Sequence, residues 1–254
     1  MRLLLKSLIL LVVPFAFSTG VQAQEEGGDI AFHYVLTPKA GHEDQFRDAM
    51  KAHMKWRAEN GDSWRWNAYD VVAGHGSNKI HFRSWGHKWA DMDAYQSGEF
   101  RDRANANFEE NVAEHLKKGM MFIDKDDDDI SAWPTEGYYP LIQLVGHRLK
   151  HGMVRQWYDA AKTIHGALQA GGFDQHYGFS WTLVGGKEPY VTLVLFSQNW
   201  AGFAEPDPTV YDIVVEQLGE EEAKAAFQAF SGAIASAESW MVRHNKDLST
   251  PSKE

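Results

Sequence analysis

An internal repeat is the feature of this sequence that most restricts how the chain can fold. Segment 151–203 follows the pattern of segment 40–92 without a gap, at an offset of 111 positions (152 − 41). The matching pairs are Gly41 with Gly152, Gln45 with Gln156, Phe46 with Trp157, Asp48 with Asp159, Ala49 with Ala160, Lys51 with Lys162, Gly61 with Gly172, Gly74 with Gly185, and Trp89-Ala90 with Trp200-Ala201. These positions belong to turns, helix starts and core aromatic residues. Identities there indicate two copies of one supersecondary unit.

The hydrophobic pattern of each copy predicts the order β-α-β-β-α-β. In the first copy, apolar alternation and three-to-four spacing predict four strands and two helices, over 30–37, 42–59, 64–72, 79–85, 88–118 and 120–124. In the second copy the corresponding elements are 141–147, 153–170, 176–184, 190–196, 220–236 and 239–243. Pro206 and Pro208 stand where the second copy should begin its second helix, so the copies diverge after Phe203.

This element order predicts an α+β fold. Each β-α-β-β-α-β unit is ferredoxin-like, with both helices on one face of its sheet and the other face uncovered. We therefore predict two tandem ferredoxin-like repeats, 30–124 and 140–244, that pack sheet to sheet as a pseudo-dimeric α+β barrel. An acidic linker over 125–139 joins them, and the tail over 245–254 is expected to fray. Because the Asp run of the linker lacks the spacing and central Gly of an EF-hand loop, we expect it to be solvated.

The start of the chain predicts export. Two basic residues precede an apolar run over 8–17, and small residues follow as far as Ala23. This pattern predicts a signal peptide over 1–23, then a disordered leader over 24–29, and an exported protein that is periplasmic or secreted. A membrane anchor is the weaker alternative, because the run is shorter than the ~20 apolar residues of a span. We expect no membrane insertion after cleavage.

The amino-acid composition limits which kinds of molecule this protein can bind. The sequence contains no Cys, which excludes disulfides, thiolate metal ligands and Cys nucleophiles. With 35 acidic and 25 basic residues, the formal net charge is −10, and no dense Lys/Arg cluster occurs. These properties argue against nucleic acid and anionic lipid as partners. A small-molecule ligand is the predicted partner, and a homo-oligomer is compatible with it.

Two aromatic motifs carry a resemblance to a known superfamily. The first copy has Phe82-x-x-Trp85 followed by Trp89-Ala-Asp-Met-Asp-Ala-Tyr95, and the second has Leu195-Phe196 followed by Trp200-Ala-Gly-Phe203. This succession of a strand and an aromatic, acidic helix start resembles the dimeric α+β-barrel superfamily, which includes antibiotic-biosynthesis-monooxygenase-like, EthD-like and NIPSNAP-like proteins. The resemblance implies a ligand in the barrel interior, either bound without chemistry or oxidised without a cofactor.

Strand alternation predicts which side chains face that interior. If the helices cover the side of Ile80 and Phe82, the neighbouring residues of the same strands point inward. The predicted ligand-binding residues are Arg65, Asn67, Tyr69, His81, Arg83, Trp85, His176 and Ser180. The second copy has different residues at the positions that lie 111 beyond Asn67, Tyr69, His81 and Arg83. They are Gly178, Ser180, Thr192 and Val194. The polar groups therefore belong mainly to the first copy. An exposed face or a satisfied internal network is the alternative for these residues.

Three hypotheses for function follow. The first is an exported barrel that binds a small, partly aromatic or apolar molecule. The second is a cofactor-independent monooxygenase-like enzyme, in which Asn67, Tyr69 and Arg83 position and stabilise an anion and His81 moves a proton. The third is a haem-binding barrel, for which the resemblance suggests His165 as the ligand. No metal-ligand spacing is present among the 12 His, so no metal site is predicted. His33 could meet His81 across neighbouring strands, but its counterpart Leu144 suggests a position packed against a helix.

Overall fold

The computed structural model of the protein describes residues 27–135 and 137–251. The predicted signal peptide, the first residues of the leader and residues 252–254 of the tail lie outside these ranges. The strands of the described residues are β1 (Ile30–Pro38), β2 (Asn67–Ala73), β3 (Ile80–His87), β4 (Leu116–Asp126), β5 (Leu141–Leu149), β6 (Tyr177–Val184), β7 (Tyr190–Ser197) and β8 (Ile234–Asn245). The helices are α1 (Glu43–Glu59), α2 (Trp89–Ser97), α3 (Glu99–Asn111), α4 (Val154–Ala170), α5 (Val210–Leu218) and α6 (Glu220–Gly232).

The eight strands form one closed antiparallel barrel in the order β1-β3-β2-β8-β5-β7-β6-β4. Strands β1 to β4 come from the first half of the chain and β5 to β8 from the second. Hydrogen bonds between β2 and β8, and between β4 and β6, join the two four-stranded sheets along both edges. The predicted α+β barrel is confirmed. The two sheets meet through hydrogen bonds between their edge strands. Whether the halves arose by duplication stays a prediction, as do the domain boundaries.

Three apolar clusters hold this architecture together. Two lie between the sheet and the helices, one around Phe46 and Phe82 in the first half and one around Trp157 and Phe179 in the second. The third is inside the barrel and contains Val71, Ile142 and Val242. Alternation along each strand produces this arrangement, because successive side chains point to opposite faces of the sheet. Among the described residues, no helix is both long enough and apolar enough to cross a membrane.

Several predicted boundaries were wrong. The second helix system ends at Asn111 and β4 begins at Leu116, whereas the sequence predicted helix as far as 118. Strand β8 begins at Ile234, where helix was predicted as far as 236. Hydrogen bonding to one neighbour extends each strand beyond its most apolar residues, because 116–118 pair with β1 and 234–236 pair with β5. Helix α5 was missed. It follows the two prolines directly and begins at a capping box formed by Thr209 and Asp212.

The acidic linker is not a solvated segment. Residues 125 and 126 belong to β4, and Ile130 is completely buried. The Asp127 carboxylate accepts a hydrogen bond of 2.9 Å from the indole of Trp181. Ala132 pairs with Tyr177 as an isolated β-bridge. The linker therefore packs along β6 and closes one side of the barrel.

The described part of the tail is also ordered. Leu248 is 2% exposed and belongs to the core of the first half. The Ser249 hydroxyl accepts a hydrogen bond from the backbone N–H of Ala68 at 2.9 Å, and the Thr250 hydroxyl accepts one from Trp66 at 2.8 Å. The predicted fraying of this segment is wrong, because the tail satisfies backbone groups that precede and begin β2.

Candidate functional site

The barrel contains a partly open cavity of about 360 Å³. One part of its wall is apolar and comes from β5, β7 and β8, with Ile142, Leu144, Val194, Phe196, Trp240 and Val242. The opposite part is polar and comes from β1 to β4, with His33, Tyr69, His81, Arg83, Asp124 and Asp126. A few polar groups converging in a mostly apolar hollow of this size are typical of a small-molecule site.

Five of the eight predicted ligand-binding residues lie on the wall of this cavity: Tyr69, His81, Arg83, Trp85 and Ser180. Arg65 is exposed and precedes the first residue of β2, so strand alternation does not govern its direction. Asn67 is partly buried and opposite Arg83 in the β2–β3 register, but it does not line the cavity. His176 precedes β6 and lines a different cavity, outside the sheet. A ligand-binding role for these residues stays a prediction.

A pair of histidines occupies the polar wall. Nε2 of His33 and Nδ1 of His81 are 2.9 Å apart, so one of these nitrogens donates a hydrogen bond to the other. Nδ1 of His33 is 3.6 Å from a carboxylate oxygen of Asp124. His81 is 7% exposed. Burial, and then the neighbouring His33 and Lys79, hold the pKa of His81 well below its usual value, so His81 is neutral at pH 7.

His33 was not among the predicted site residues because its counterpart Leu144 was taken to face a helix. Both residues in fact face the barrel interior. The offset of 111 therefore correctly pairs residues that lie on the same face of the sheet. The error was to place His33 and Leu144 on the face that packs against the helices.

Arg83 forms an ion pair within the first half of the barrel, and a residue of the second half joins it. Its guanidinium donates to Asp126 at 2.5 Å, and the Ser180 hydroxyl donates to the same carboxylate oxygen at 2.7 Å. Burial opposes the charged form of Arg83, but Asp126 and Asp124 outweigh burial and raise its pKa. The charge of Arg83 is therefore balanced within the protein, which weakens the hypothesis that this residue stabilises an anionic substrate.

Further polar atoms around the cavity lack protein partners. Within residues 27–135 and 137–251, no hydrogen bond is made by the Tyr69 hydroxyl or by Nε2 of His81. The indole N–H groups of Trp133 and Trp240 are buried and also without partners in those ranges. Burial raises the pKa of Tyr69 to about 12, so its hydroxyl is a neutral donor. The Tyr69 hydroxyl and Nε2 of His81 remain available to a bound molecule, whereas the two indole N–H groups are buried within the wall.

Trp133 reaches the cavity from the linker, which the sequence analysis had treated as solvated. Its ring lies directly over Gly178 of β6, where a side chain would collide with it, and packs edge-on against Phe196 at 6.0 Å between centroids. The glycine at position 178, opposite an aromatic residue of a Pro-containing linker, is the signal in the sequence that could have indicated this contact.

Two further cavities lie between the sheet and the helices. The one in the first half is about 320 Å³ and is lined by His53, Arg57 and Arg101. Burial lowers the pKa of His53 to about 4, and Nδ1 of this residue is 2.7 Å from the amide oxygen of Asn107. Arg57 already binds Asp62 at 2.7 Å. The cavity in the second half is about 340 Å³.

The cavity of the second half contains His165, the residue suggested as a haem ligand. Its Nδ1 is 2.8 Å from the Tyr177 hydroxyl, which leaves Nε2 as the ring nitrogen able to bind iron. No Lys or Arg lies among the described residues that line this cavity, so nothing there pairs with the two carboxylates of haem. The residues fit the axial ligand but not the whole group. The described residues also contain no cluster of three or more His, Asp or Glu suited to a metal ion.

Comparison with known proteins identifies the fold class. The sequence matches no protein-family model, and no curated protein matches it either. Among solved structures, it is similar to a proposed monooxygenase from Lactobacillus acidophilus NCFM, with a TM-score of 0.53, 12% identity, and coverage of 87% of this chain and 94% of that chain. A chlorite dismutase mutant from Candidatus Nitrospira defluvii matches with a TM-score of 0.53 and 8% identity, over 87% and 93% of the two chains.

An anthrone oxidase-like protein is similar at a TM-score of 0.50 and 11% identity, over 87% and 92% of the two chains. Monooxygenase-like and chlorite dismutase-type proteins have the dimeric α+β-barrel fold, which is the class of this protein. At these identities the likeness shows the fold alone.

Proposed function

We propose that this protein binds a small, partly aromatic or apolar molecule inside the barrel. The observation that carries this proposal is the cavity of about 360 Å³ inside the barrel. In it the Tyr69 hydroxyl and Nε2 of His81 face an aromatic and aliphatic wall and make no hydrogen bond to the described residues. Polar groups left without partners in a largely apolar hollow are costly unless a bound molecule or water satisfies them.

The first half supplies most of the binding groups in this proposal. His33, Tyr69, His81 and Arg83 come from β1 to β3, whereas Thr192 and Val194 occupy the positions of the second half that are 111 residues beyond His81 and Arg83. If the halves arose by duplication, one copy kept a polar interior and the other became an apolar wall.

A cavity-filling variant tests the proposal. Val194 lines the cavity, so Val194→Trp should occupy it, while Val184→Trp places the same side chain at a residue that is 45% exposed. Mass spectrometry under native conditions, of protein as purified and after incubation with small aromatic compounds, reports binding. We expect the parent and Val184→Trp to bind and Val194→Trp not to bind. Equal binding by the two folded variants would contradict an interior site.

Catalysis without a cofactor is the second candidate, and the His33–His81 hydrogen bond favours it. Neutral His81 could accept a proton from an acidic C–H or O–H of the substrate through Nε2, with the His33 ring holding its tautomer. In a monooxygenase reaction one atom of O₂ enters the substrate and the other leaves as water, with electrons from the substrate. Oxygen consumption on phenolic and anthrone-type compounds, lost in His81→Ala with binding retained, would support this function over simple binding.

Haem binding is the remaining alternative and depends on His165. Titration with haem, followed by the Soret band and compared with His165→Ala, tests it. A band of equal intensity in both proteins would remove His165 from consideration, and no band in either would remove the alternative. The absorbance spectrum of the purified protein shows whether haem is already bound, and its native mass tests whether the protein is a homo-oligomer.

We also propose that the protein is exported. The basic, apolar and small-residue segments before residue 24 support cleavage after Ala23. Sequencing the N-terminus of protein recovered from a cell fraction outside the cytoplasm would identify the cleavage site. Recovery of uncleaved chain from the cytoplasm alone would contradict export.

A further inference from the structure

We infer that the ligand of the barrel cavity is a small organic cation, with an aromatic or apolar body and a protonated amine or quaternary ammonium group. This inference rests on the proposed binding function and adds the chemical class of the ligand. Three features of the cavity carry it: the balance of charge on the wall, a largely buried carboxylate that accepts no hydrogen bond from the described residues, and the surrounding aromatic rings.

The charges on the wall are mainly negative. Four carboxylates line the cavity, those of Asp29, Asp124, Asp126 and Asp128, against one cationic side chain among the described lining residues, that of Arg83. Asp126 binds Arg83, and Asp29 is 3.2 Å from the ammonium group of Lys125. The carboxylates of Asp124 and Asp128 remain, and Asp128 is exposed at the start of the short 3-10 turn that follows β4.

Asp124 is the buried member of this set. The residue is 8% exposed, yet within the described chain its carboxylate receives no hydrogen bond, and the only basic atom within 4 Å is Nδ1 of His33 at 3.6 Å. A carboxylate with little access to water gains more from a cationic partner than an exposed one does. A ligand ammonium that donates to Asp124 would satisfy it, and such charge-assisted hydrogen bonds are among the strongest in proteins.

The aromatic wall favours the same ligand class. Trp85, Trp133, Trp240 and Tyr69 all border the cavity, and the faces of such rings attract cations. The guanidinium of Arg83 already lies 5.5 Å from the centre of the Trp85 ring. An anionic ligand would instead have to approach Asp124 with Arg83 already paired to Asp126, so repulsion would oppose its entry.

The negative charge of Asp124 could instead be balanced by an additional proton on the His33–His81 pair. In that case the cavity would need no cationic ligand, and a neutral molecule of the same shape would bind equally well. Comparison of molecules that differ only in charge separates these two cases, and it requires no variant of the protein.

The experiment uses three naphthalene probes at pH 7 and isothermal titration calorimetry: 2-naphthylmethylamine, which is a cation, 2-naphthylmethanol, which is neutral, and 2-naphthoate, which is an anion. We expect the amine to bind at least about tenfold more tightly than the alcohol, as one buried charge-assisted contact allows, and the anion to bind most weakly. Asp124→Asn should reduce the ratio of amine to alcohol affinity to below about threefold. Asp247→Asn, on the exposed tail, should leave this ratio unchanged.

The outcomes distinguish the two proposals. If the alcohol binds as tightly as the amine, the cation inference is overturned and the proposed binding function stands. If no probe binds to the parent protein, both are overturned. An unchanged preference in a folded Asp124→Asn protein overturns the assignment of Asp124. If that variant does not fold, the ratio measured on the parent protein decides the question.

Discussion

Substitution of Gly178 by Ala tests how the linker closes the barrel. A Cβ at this position would lie 2.1 Å from Cζ3 of Trp133, whereas packed carbon atoms are about 3.5–4.0 Å apart. The ring cannot retreat freely, because it packs against Phe196 and because two backbone hydrogen bonds, of 2.8 and 3.1 Å, tie Ala132 to Tyr177. Overpacking of this kind costs about 1–3 kcal/mol. The lower conformational entropy of unfolded Ala recovers roughly 0.5–1 kcal/mol of that.

Chemical denaturation measures the effect, with Trp133→Ala as the second arm of a double-mutant cycle. We expect Gly178→Ala to lower the free energy of unfolding by about 1–2 kcal/mol in the parent protein, the balance of the two effects. In the Trp133→Ala background the same change should be neutral or stabilising, which gives a coupling energy of about 1–3 kcal/mol. Equal losses in both backgrounds would refute the reasoning, because the collision could not then involve the Trp133 ring.

Three further predictions concern other parts of the fold. Gly166 lies within α4 with nothing within 4 Å of a Cβ, so Gly166→Ala should raise the free energy of unfolding by about 0.5–1 kcal/mol in a denaturant titration. Burial lowers the pKa of His53 from 6.5 to about 4, so the unfolded chain takes up the proton first as the pH falls. The free energy of unfolding should therefore fall as the pH is lowered from 6.5 to 4, and His53 should account for about 3 kcal/mol of that loss. In His53→Gln the pH dependence of denaturation should be flatter over this range. Ser249→Ala removes the acceptor of the buried Ala68 N–H and should cost about 1–3 kcal/mol, whereas a fully frayed tail would give no change.

Most of the fold follows from patterns that the sequence carries locally. The alternation of Ile80 and Phe82 with His81 and Arg83 decides which face packs against α1, because mixing the two sets would bury charge under the helices. The elements that were missed depend on distant partners. The full lengths of β4 and β8 depend on pairing with strands far away in the chain, and no local periodicity encodes such pairing.

The candidate site was predictable to the extent that strands define it. Tyr69, His81 and Arg83 follow from alternation alone. Asp124 and Asp126 do not, because a run of carboxylates indicates a solvated segment unless the strand before it is known to continue. Alternation from Phe122 through these two residues was the available signal. Gly178 signals that a neighbour approaches β6 closely, but only the tertiary structure shows that this neighbour is Trp133.

The two halves of the chain differ inside the barrel for an electrostatic reason. In an assembly of two identical chains, every inward residue would occur twice. A second guanidinium and a second carboxylate would then have to be desolvated in the same cavity, and such desolvation can exceed the attraction between the charges. A single chain avoids this cost by placing Val194 where the first half has Arg83, and Asp126 then needs only Arg83 and Ser180 as partners. Because Asp126 contacts β3 of one half and β6 of the other, neither half alone completes the polar wall, so the site and the closure of the barrel depend on each other.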